Sequence, residues 1–375
     1  MHNICIVAGA RPNFMKVAPI VRAIQRCPHK DAIAYRLVYV GRQEDNTLET
    51  TLYDDLQIPP PDTFLNIEET NLNALTGQVM YAFEHYLEQY PADVVIVVDD
   101  LASTMAVAIV AKKKGLRLAH LVAGTRSFDI AMPKEINRIV IDGLSDYLFT
   151  AGEAANNIVF REGVKETKVY TVGNILIDTL RHNKPRQQKP AIVKQMEEEG
   201  QSRYLVLTLN RKALLHDPEK LQPLLHIIAA ESEHTPVVAP LRQEAKEVVE
   251  KALGNTRHRI HIVPPLPYLQ FAYLTAHATG IVTDSGNVAE EATFYRVPCA
   301  TLSAYTEHIE TVTIGTNVLI EEDPQRLQEA IRQMATHTWK PSALPEKWDG
   351  RTAERILQVL IRDAEKNNNT NNKAI

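Results

Sequence analysis

Residues 93–98 read Asp-Val-Val-Ile-Val-Val, and this string restricts the fold more than any other in the chain. A strand with one wet face alternates apolar and polar residues. This run does not alternate, so it has the composition of a strand buried on both faces, in a parallel sheet covered by helices. Its surroundings agree. Residues 4–7 and 36–40 are further apolar runs, and Met15, Val17, Ala18, Ile20, Val21 and Ile24 recur between them at helical spacing. Helices are expected over 72–90, 101–114 and 133–145, and strands over 118–122, 147–150 and 168–172. Strand–helix alternation implies crossover connections and a doubly wound sheet. Residues 182–190, His-Asn-Lys-Pro-Arg-Gln-Gln-Lys-Pro, are polar with two prolines and interrupt the pattern. It then restarts, with strands at 204–209, 235–238, 259–263, 280–283 and 299–302. Helices at 221–230, 244–253, 268–276, 288–294 and 326–334 accompany them, and a last one spans 353–364.

A chain of 375 residues is long for one core. The fold class expected is therefore α/β with two Rossmann-like doubly wound domains, 1–182 and 191–350, joined by a linker over 183–190. A C-terminal helix at 351–366 is expected to pack back on the first domain, and the Asn-rich stretch 367–375 to be a disordered tail. Ligands of such sheets sit beyond the carboxyl ends of the strands, which points to one site between the domains.

Bulk properties exclude several function classes. A net charge of −5 argues against a general nucleic-acid binder. Cys5, Cys27 and Cys299 have neither disulfide nor zinc spacing and are expected to be buried thiols. The N-terminus lacks a secretory pattern and no apolar run reaches 18 residues, so a cytoplasmic protein without a membrane span is expected.

Three strings at strand-to-helix junctions carry chemistry. Gly9-Ala10-Arg11-Pro12-Asn13 allows a tight turn and offers a guanidinium to phosphate, with Lys16 a helical step further; it is not the dinucleotide fingerprint, and it also suits an ordinary turn. Thr283-Asp284-Ser285-Gly286-Asn287 places Ser285 at a helix N-terminus, where backbone N–H groups favour a diphosphate. Glu290 and Glu291 follow about a turn later, and such a carboxylate can bond vicinal hydroxyls; solvated acids on a capped helix are the alternative. Lys134, Arg138 and Asp142 share one helix face, a pattern usual for a solvated stripe. Asp99-Asp100 ends the all-apolar strand, where a carboxylate must face a cleft or meet a cation. His120 reads as a satisfied core histidine, and Thr306–Glu310, with Glu307, as one wall of the site.

At these residues the chain closely resembles the bacterial non-hydrolysing UDP-N-acetylglucosamine 2-epimerases over residues 3–365, which implies the GT-B fold with its two domains facing a cleft. The family interconverts UDP-GlcNAc and UDP-ManNAc by eliminating UDP to a 2-acetamidoglucal and adding it back after the C2 face is reversed, and it needs no metal or cofactor. The resemblance implies a UDP-sugar ligand and a homodimer. It places Arg11, Lys16, Arg138, Asn210 and Arg211 near phosphate and cleft, Ser285, Gly286 and Asn287 on the diphosphate, and Glu291 on the ribose. Asp100 matches a proposed acid–base aspartate. Other matches fail: Val122 and Lys134 stand where the family has catalytic carboxylates, and Asn210 where it has a histidine. Catalysis is therefore expected to be impaired or altered, resting on Asp100 and a repurposed Lys134. A non-catalytic UDP-sugar-binding or regulatory paralogue and a GT-B glycosyltransferase stay open as other readings.

Overall fold

The computed structural model describes residues 2–27, 33–256 and 259–371. It divides into two compact units, residues 1–182 with 346–375, and residues 183–345.

The first unit holds β1 (His2–Ala8), β2 (Ile33–Tyr39), β3 (Thr63–Phe64), β4 (Val94–Val98), β5 (Arg117–Ala123), β6 (Tyr147–Thr150) and β7 (Val169–Thr171). They form one sheet in the order β3-β2-β1-β4-β5-β6-β7. Every pairing is parallel. All five residues of β4 are buried, as its composition requires. Val95 and Val97 pack on one side with Phe83 and Val107 from the Leu72–Gln89 and Ala102–Lys113 helices. Burying each such side chain contributes about 1.5–3 kcal/mol, which is what holds the helices on the sheet.

The second unit holds β8 (Leu205–Thr208), β9 (Val237–Pro240), β10 (Ile260–Val263), β11 (Gly280–Thr283), β12 (Cys299–Thr301) and β13 (Asn317–Leu319). Their order is β10-β9-β8-β11-β12-β13, again all parallel. Two cores flank this sheet, one including Leu207, Leu224 and Ile331 and the other Val206, Leu274 and Ala289. The α/β class with two doubly wound sheets thus holds. Each sheet reverses its winding once, between β1 and β4 and between β8 and β11.

The polar stretch after the first unit is tied down. Gln187 Nε2 donates to the Ala272 carbonyl and lies 3.0 Å from the Tyr295 hydroxyl, and Gln188 N donates to Leu269 O. Helices at Glu153–Arg161, Ile175–Asn183 and Ala191–Glu198 were not expected from the sequence. They are short, and tertiary packing rather than propensity sustains helices of eight or nine residues.

The final helix, Thr352–Asn371, packs on the Arg11–Arg26 helix of the first unit. Its first N–H groups are satisfied from another helix: Asp178 accepts from Thr352 N at 3.0 Å and Ala353 N at 2.8 Å. The helix runs to Asn371, which corrects the expectation of a disordered tail over 367–371; residues 372–375 lie outside the described residues. The three cysteines are free and buried. Among the described residues no helix is long and apolar enough to cross a membrane, and no group of side chains is arranged to hold a metal.

Candidate functional site

In a doubly wound sheet the two loops that leave the reversal point diverge and open a crevice at the carboxyl ends of the strands. In the first unit those loops follow β1 and β4. The Gly9–Ala10 turn is closed by Asn13, whose Oδ1 accepts from Gly9 N at 2.9 Å and Ala10 N at 3.1 Å. Asn13 Nδ2 donates across the crevice to Asp99 at 2.8 Å, and Lys16 Nζ lies 2.6 Å from the other Asp99 oxygen. Lys16 is buried and neutralises Asp99. Arg11 is held by Glu49 through two contacts of 2.7 and 2.5 Å. Glu49, 38 residues away, carried no sequence signal.

Asp99 adopts a left-handed backbone, φ 58°, which turns the chain so that Asp100 meets the Pro133–Leu144 helix. Arg138 Nε and Nη2 reach Asp100 Oδ2 at 2.9 and 2.6 Å, and Lys134 Nζ lies 3.4 Å from Oδ1. Burial alone would raise the Asp100 pKa; the Lys134 and Arg138 cations outweigh it and hold the carboxyl below its ordinary value. Arg138 Nη1 also binds Glu135 at 3.0 Å. Glu135 in turn accepts from Ser127 N, Ser127 Oγ and Phe128 N, which offset its burial and lower its pKa. The solvated-stripe reading of Lys134, Arg138 and Asp142 is thereby corrected. Only the Lys134 side chain, 62% exposed, is in solvent, while Arg138 and Asp142 are buried. Spacing puts residues on one face but does not say what the face meets.

Behind Asp100 lies a second polar layer. His120 Nδ1 is 2.6 Å from Asp142 and its Nε2 donates to the Asp99 carbonyl at 3.0 Å. The other Asp142 oxygen takes Gly124 N at 3.1 Å and Arg126 Nη1 at 2.8 Å. Burial would raise the Asp142 pKa, but His120 and Arg126 hold it low. Arg126 ends the layer with two bonds to Glu162, 2.8 and 2.6 Å. Val122 sits above it on a bulge of β5 in a left-handed conformation, φ 66°. Gly124 turns next at φ +78°, where a Cβ would meet the Ala155 carbonyl at 2.6 Å.

The second unit repeats the design at β8 and β11. Asp284 Oδ2 accepts from Asn210 N and Arg211 N, both at 2.7 Å, and so ties the two loops together. Burial raises the Asp284 pKa against these two N–H donors. Ser285 occupies the cap position of the Gly286–Tyr295 helix, as expected, and its hydroxyl makes no capping bond. The N-terminal N–H groups are thus not engaged by the Ser285 side chain. A Cβ on Gly286 would lie 3.2 Å from the His308 ring and 3.9 Å from Glu307, so a side chain here would press on the His308 ring. His308 Nδ1 is 3.1 Å from Glu290. Glu291 is buried, with Thr275 Oγ1 at 3.5 Å. Arg211 brings a buried Nη1 without a hydrogen-bond partner. Asn210 is exposed and Asn287 half-buried.

The structure therefore groups Arg11, Lys16, Asp100, Lys134 and Arg138 at one strand-end crevice, and Asn210, Arg211, Ser285, Gly286, Asn287, Glu291 and Glu307 at the other or on the helix it opens. Asn13, Asp99, Glu135, Asn137 and Asp284 are further site residues. Asn13 had a signal, being three residues past the turn it closes. Asn137, which donates to the Asp100 carbonyl at 2.8 Å, had none.

A family model described as UDP-N-acetylglucosamine 2-epimerase matches residues 25–361. The UDP-N-acetylglucosamine 2-epimerase of Methanocaldococcus jannaschii is 32% identical over 96% of this chain and 98% of its own. The UDP-2,3-diacetamido-2,3-dideoxy-D-glucuronate 2-epimerase of Pseudomonas aeruginosa is 31% identical over 96% and 99%. The crystal structure of the M. jannaschii UDP-GlcNAc 2-epimerase in complex with UDP-GlcNAc and UDP superposes with a TM-score of 0.84, at 31% identity over 96% and 99%.

Proposed function

The chain belongs to the UDP-N-acetylglucosamine 2-epimerase family, and on that premise we propose that it binds a UDP-N-acetylhexosamine and interconverts its C2 epimers slowly, with Asp100 and Lys134 as the acid–base pair. The observation that carries this reading is the Lys134 ammonium 3.4 Å from Asp100.

The nucleotide is assigned to the second unit. The N–H groups from Gly286 and Asn287 receive the diphosphate, aided by the helix dipole. Arg211 offers a buried guanidinium N–H to the same phosphates. Glu291 receives the ribose hydroxyls. On the first unit, Arg11 and Arg138 add cations, and Lys16 fixes Asp99.

In the reaction Asp100 takes the C2 proton while the C1–O bond breaks and its electron pair leaves with UDP. Lys134, on the same side as Asp100, then delivers a proton to C2 after the glucal has turned its other face to the pair, UDP re-adds at C1, and the proton on Asp100 returns to Lys134. Asp100 is a weak base, because two cations stabilise its charged form. Val122 supplies no proton at all. General acid–base groups are each worth about 10²–10⁴-fold, so this arrangement predicts slow turnover. A proton and phosphorus NMR time course with UDP-GlcNAc in heavy water tests it. The expected result is deuterium at C2 together with the second epimer, both abolished in Asp100→Asn. Broadened uridine signals over an unchanged sugar would instead support a UDP-sugar-binding protein, a reading favoured by the two bonds that lock Asp100 to Arg138. A homodimer belongs to the same proposal, supported by exposed Phe128, Ile130, Ile136 and Ile139 on the first unit.

A further inference from the structure

A cavity of about 580 Å³ lies in the first unit, among the Arg11–Arg26, Ile175–Asn183 and Thr352–Asn371 helices. Its volume is that of a small-molecule site. Apolar Leu357 and Ile361 form part of the lining, and Arg22, Arg26 and Arg181 form another part. Two of the arginines are held in place: Arg22 donates to the Leu56 carbonyl and lies 3.4 Å from Thr179 Oγ1, and Arg181 donates to the Asp349 carbonyl. Arg26 is exposed at the edge.

The acids in the lining are engaged elsewhere. Asp178 is spent on the backbone N–H groups of Thr352 and Ala353, and Glu354 pairs with Arg351 at 2.9 Å. A 20-residue helix starts at the same wall, with its first N–H groups already taken by Asp178. Three guanidinium groups, two of them fixed, and an adjoining apolar strip together suit a small molecule with a phosphate at one end and an apolar body at the other. None of these residues belongs to the strand-end crevices.

We propose that this cavity is a second ligand site, selective for an organic phosphate, with Arg26 and Arg181 holding the phosphate and Leu357 and Ile361 the apolar body. It does not depend on the UDP-sugar reading. The Arg11–Arg26 helix carries both ends of the matter: Arg11, Asn13 and Lys16 in its first turns serve the crevice, and Pro19 to Arg26 face the cavity.

Phenyl phosphate is the probe, titrated into the full chain with and without UDP and followed by calorimetry and by amide hydrogen exchange. The expected result is saturable binding in both conditions, tighter than for inorganic phosphate. Protection should appear at 19–27, 175–182 and 352–361. Arg26→Ala should weaken binding roughly tenfold, and Arg181→Lys should weaken it with the circular dichroism spectrum unchanged. Protection confined to 9–16 or 284–291, equal affinity for inorganic phosphate, or indifference to Arg26→Ala would each overturn the proposal. Failure of UDP to bind would bear on the epimerase reading alone, because the readout at the cavity is local.

Discussion

Val122 is a β-branched residue held at φ 66°. Left-handed backbone costs such a residue on the order of 1–3 kcal/mol and persists only where surrounding structure imposes it. Here the imposing neighbours are Gly124, tied to Asp142, and the β5 bulge. Val122→Asn is therefore expected to stabilise the protein by about 1 kcal/mol, since Asn tolerates this region. Thermal unfolding checks it, and a lower Tm would mean that packing of the valine outweighs its strain. Asp178 makes a pH prediction. Burial pushes its carboxyl from 3.8 to about 6 despite two backbone N–H donors. A folded-state pKa above the unfolded value means that the folded state binds the proton more tightly. Its contribution to stability is full below about pH 4 and is lost as pH rises through 6, up to about 3 kcal/mol in all. Asp178→Asn should remove that slope, so the wild-type minus variant difference in unfolding free energy should fall between pH 4 and 7 in urea titrations. A difference that is flat with pH would contradict the shift.

The Pro133–Leu144 helix shows how much one element does. Its buried face carries Glu135, bonded to the Ser127–Phe128 loop, Asn137 and Arg138, both bonded to Asp100 after β4, and Asp142, bonded to Gly124 after β5. The 3.6-residue period placed Lys134, Arg138 and Asp142 in line, but a line of charges reads the same in solvent and in a polar core. Only the partners distinguish them, and these, Glu135 aside, come from 16 to 38 residues away in sequence. Asp142→Ala removes the anion facing both His120 and Arg126. Stranding a buried cation costs about 3–5 kcal/mol, so the variant should lose that much in urea unfolding and lose the ordered Gly124 turn. A loss below 1 kcal/mol would show that Glu162 alone suffices for Arg126. The Gly286–Tyr295 helix makes the complementary point. Its start was legible from Thr283-Asp284-Ser285-Gly286, yet the residue that organises it is Asp284, which bridges to Asn210 and Arg211.

For the whole molecule, the two sheets share one strand order and place their loops at the same kind of reversal point. Family membership speaks for the epimerase scaffold, and the proposed slow turnover is attributed to Val122, Lys134 and Asn210. If those three residues limit turnover, Val122→Glu, Lys134→Glu and Asn210→His combined should raise the rate of C2 exchange by 10²-fold or more over the parent, measured by the same NMR assay. No gain would place the limit in the backbone around them.

The sequence by itself determined the α/β class, the two-part organisation, the family and nearly all strand ends where chemistry sits. Those features rest on local periodicity, composition and short motifs, which a linear reading registers. The tertiary structure alone decided which charges are buried and with whom: Lys16 with Asp99, Arg11 with Glu49, Asp100 between Lys134 and Arg138, Asp178 on the last helix. Such pairings join residues brought close only by the winding of the sheet. Their energies depend on desolvation, and burial is a property of the packed chain rather than of any segment of it.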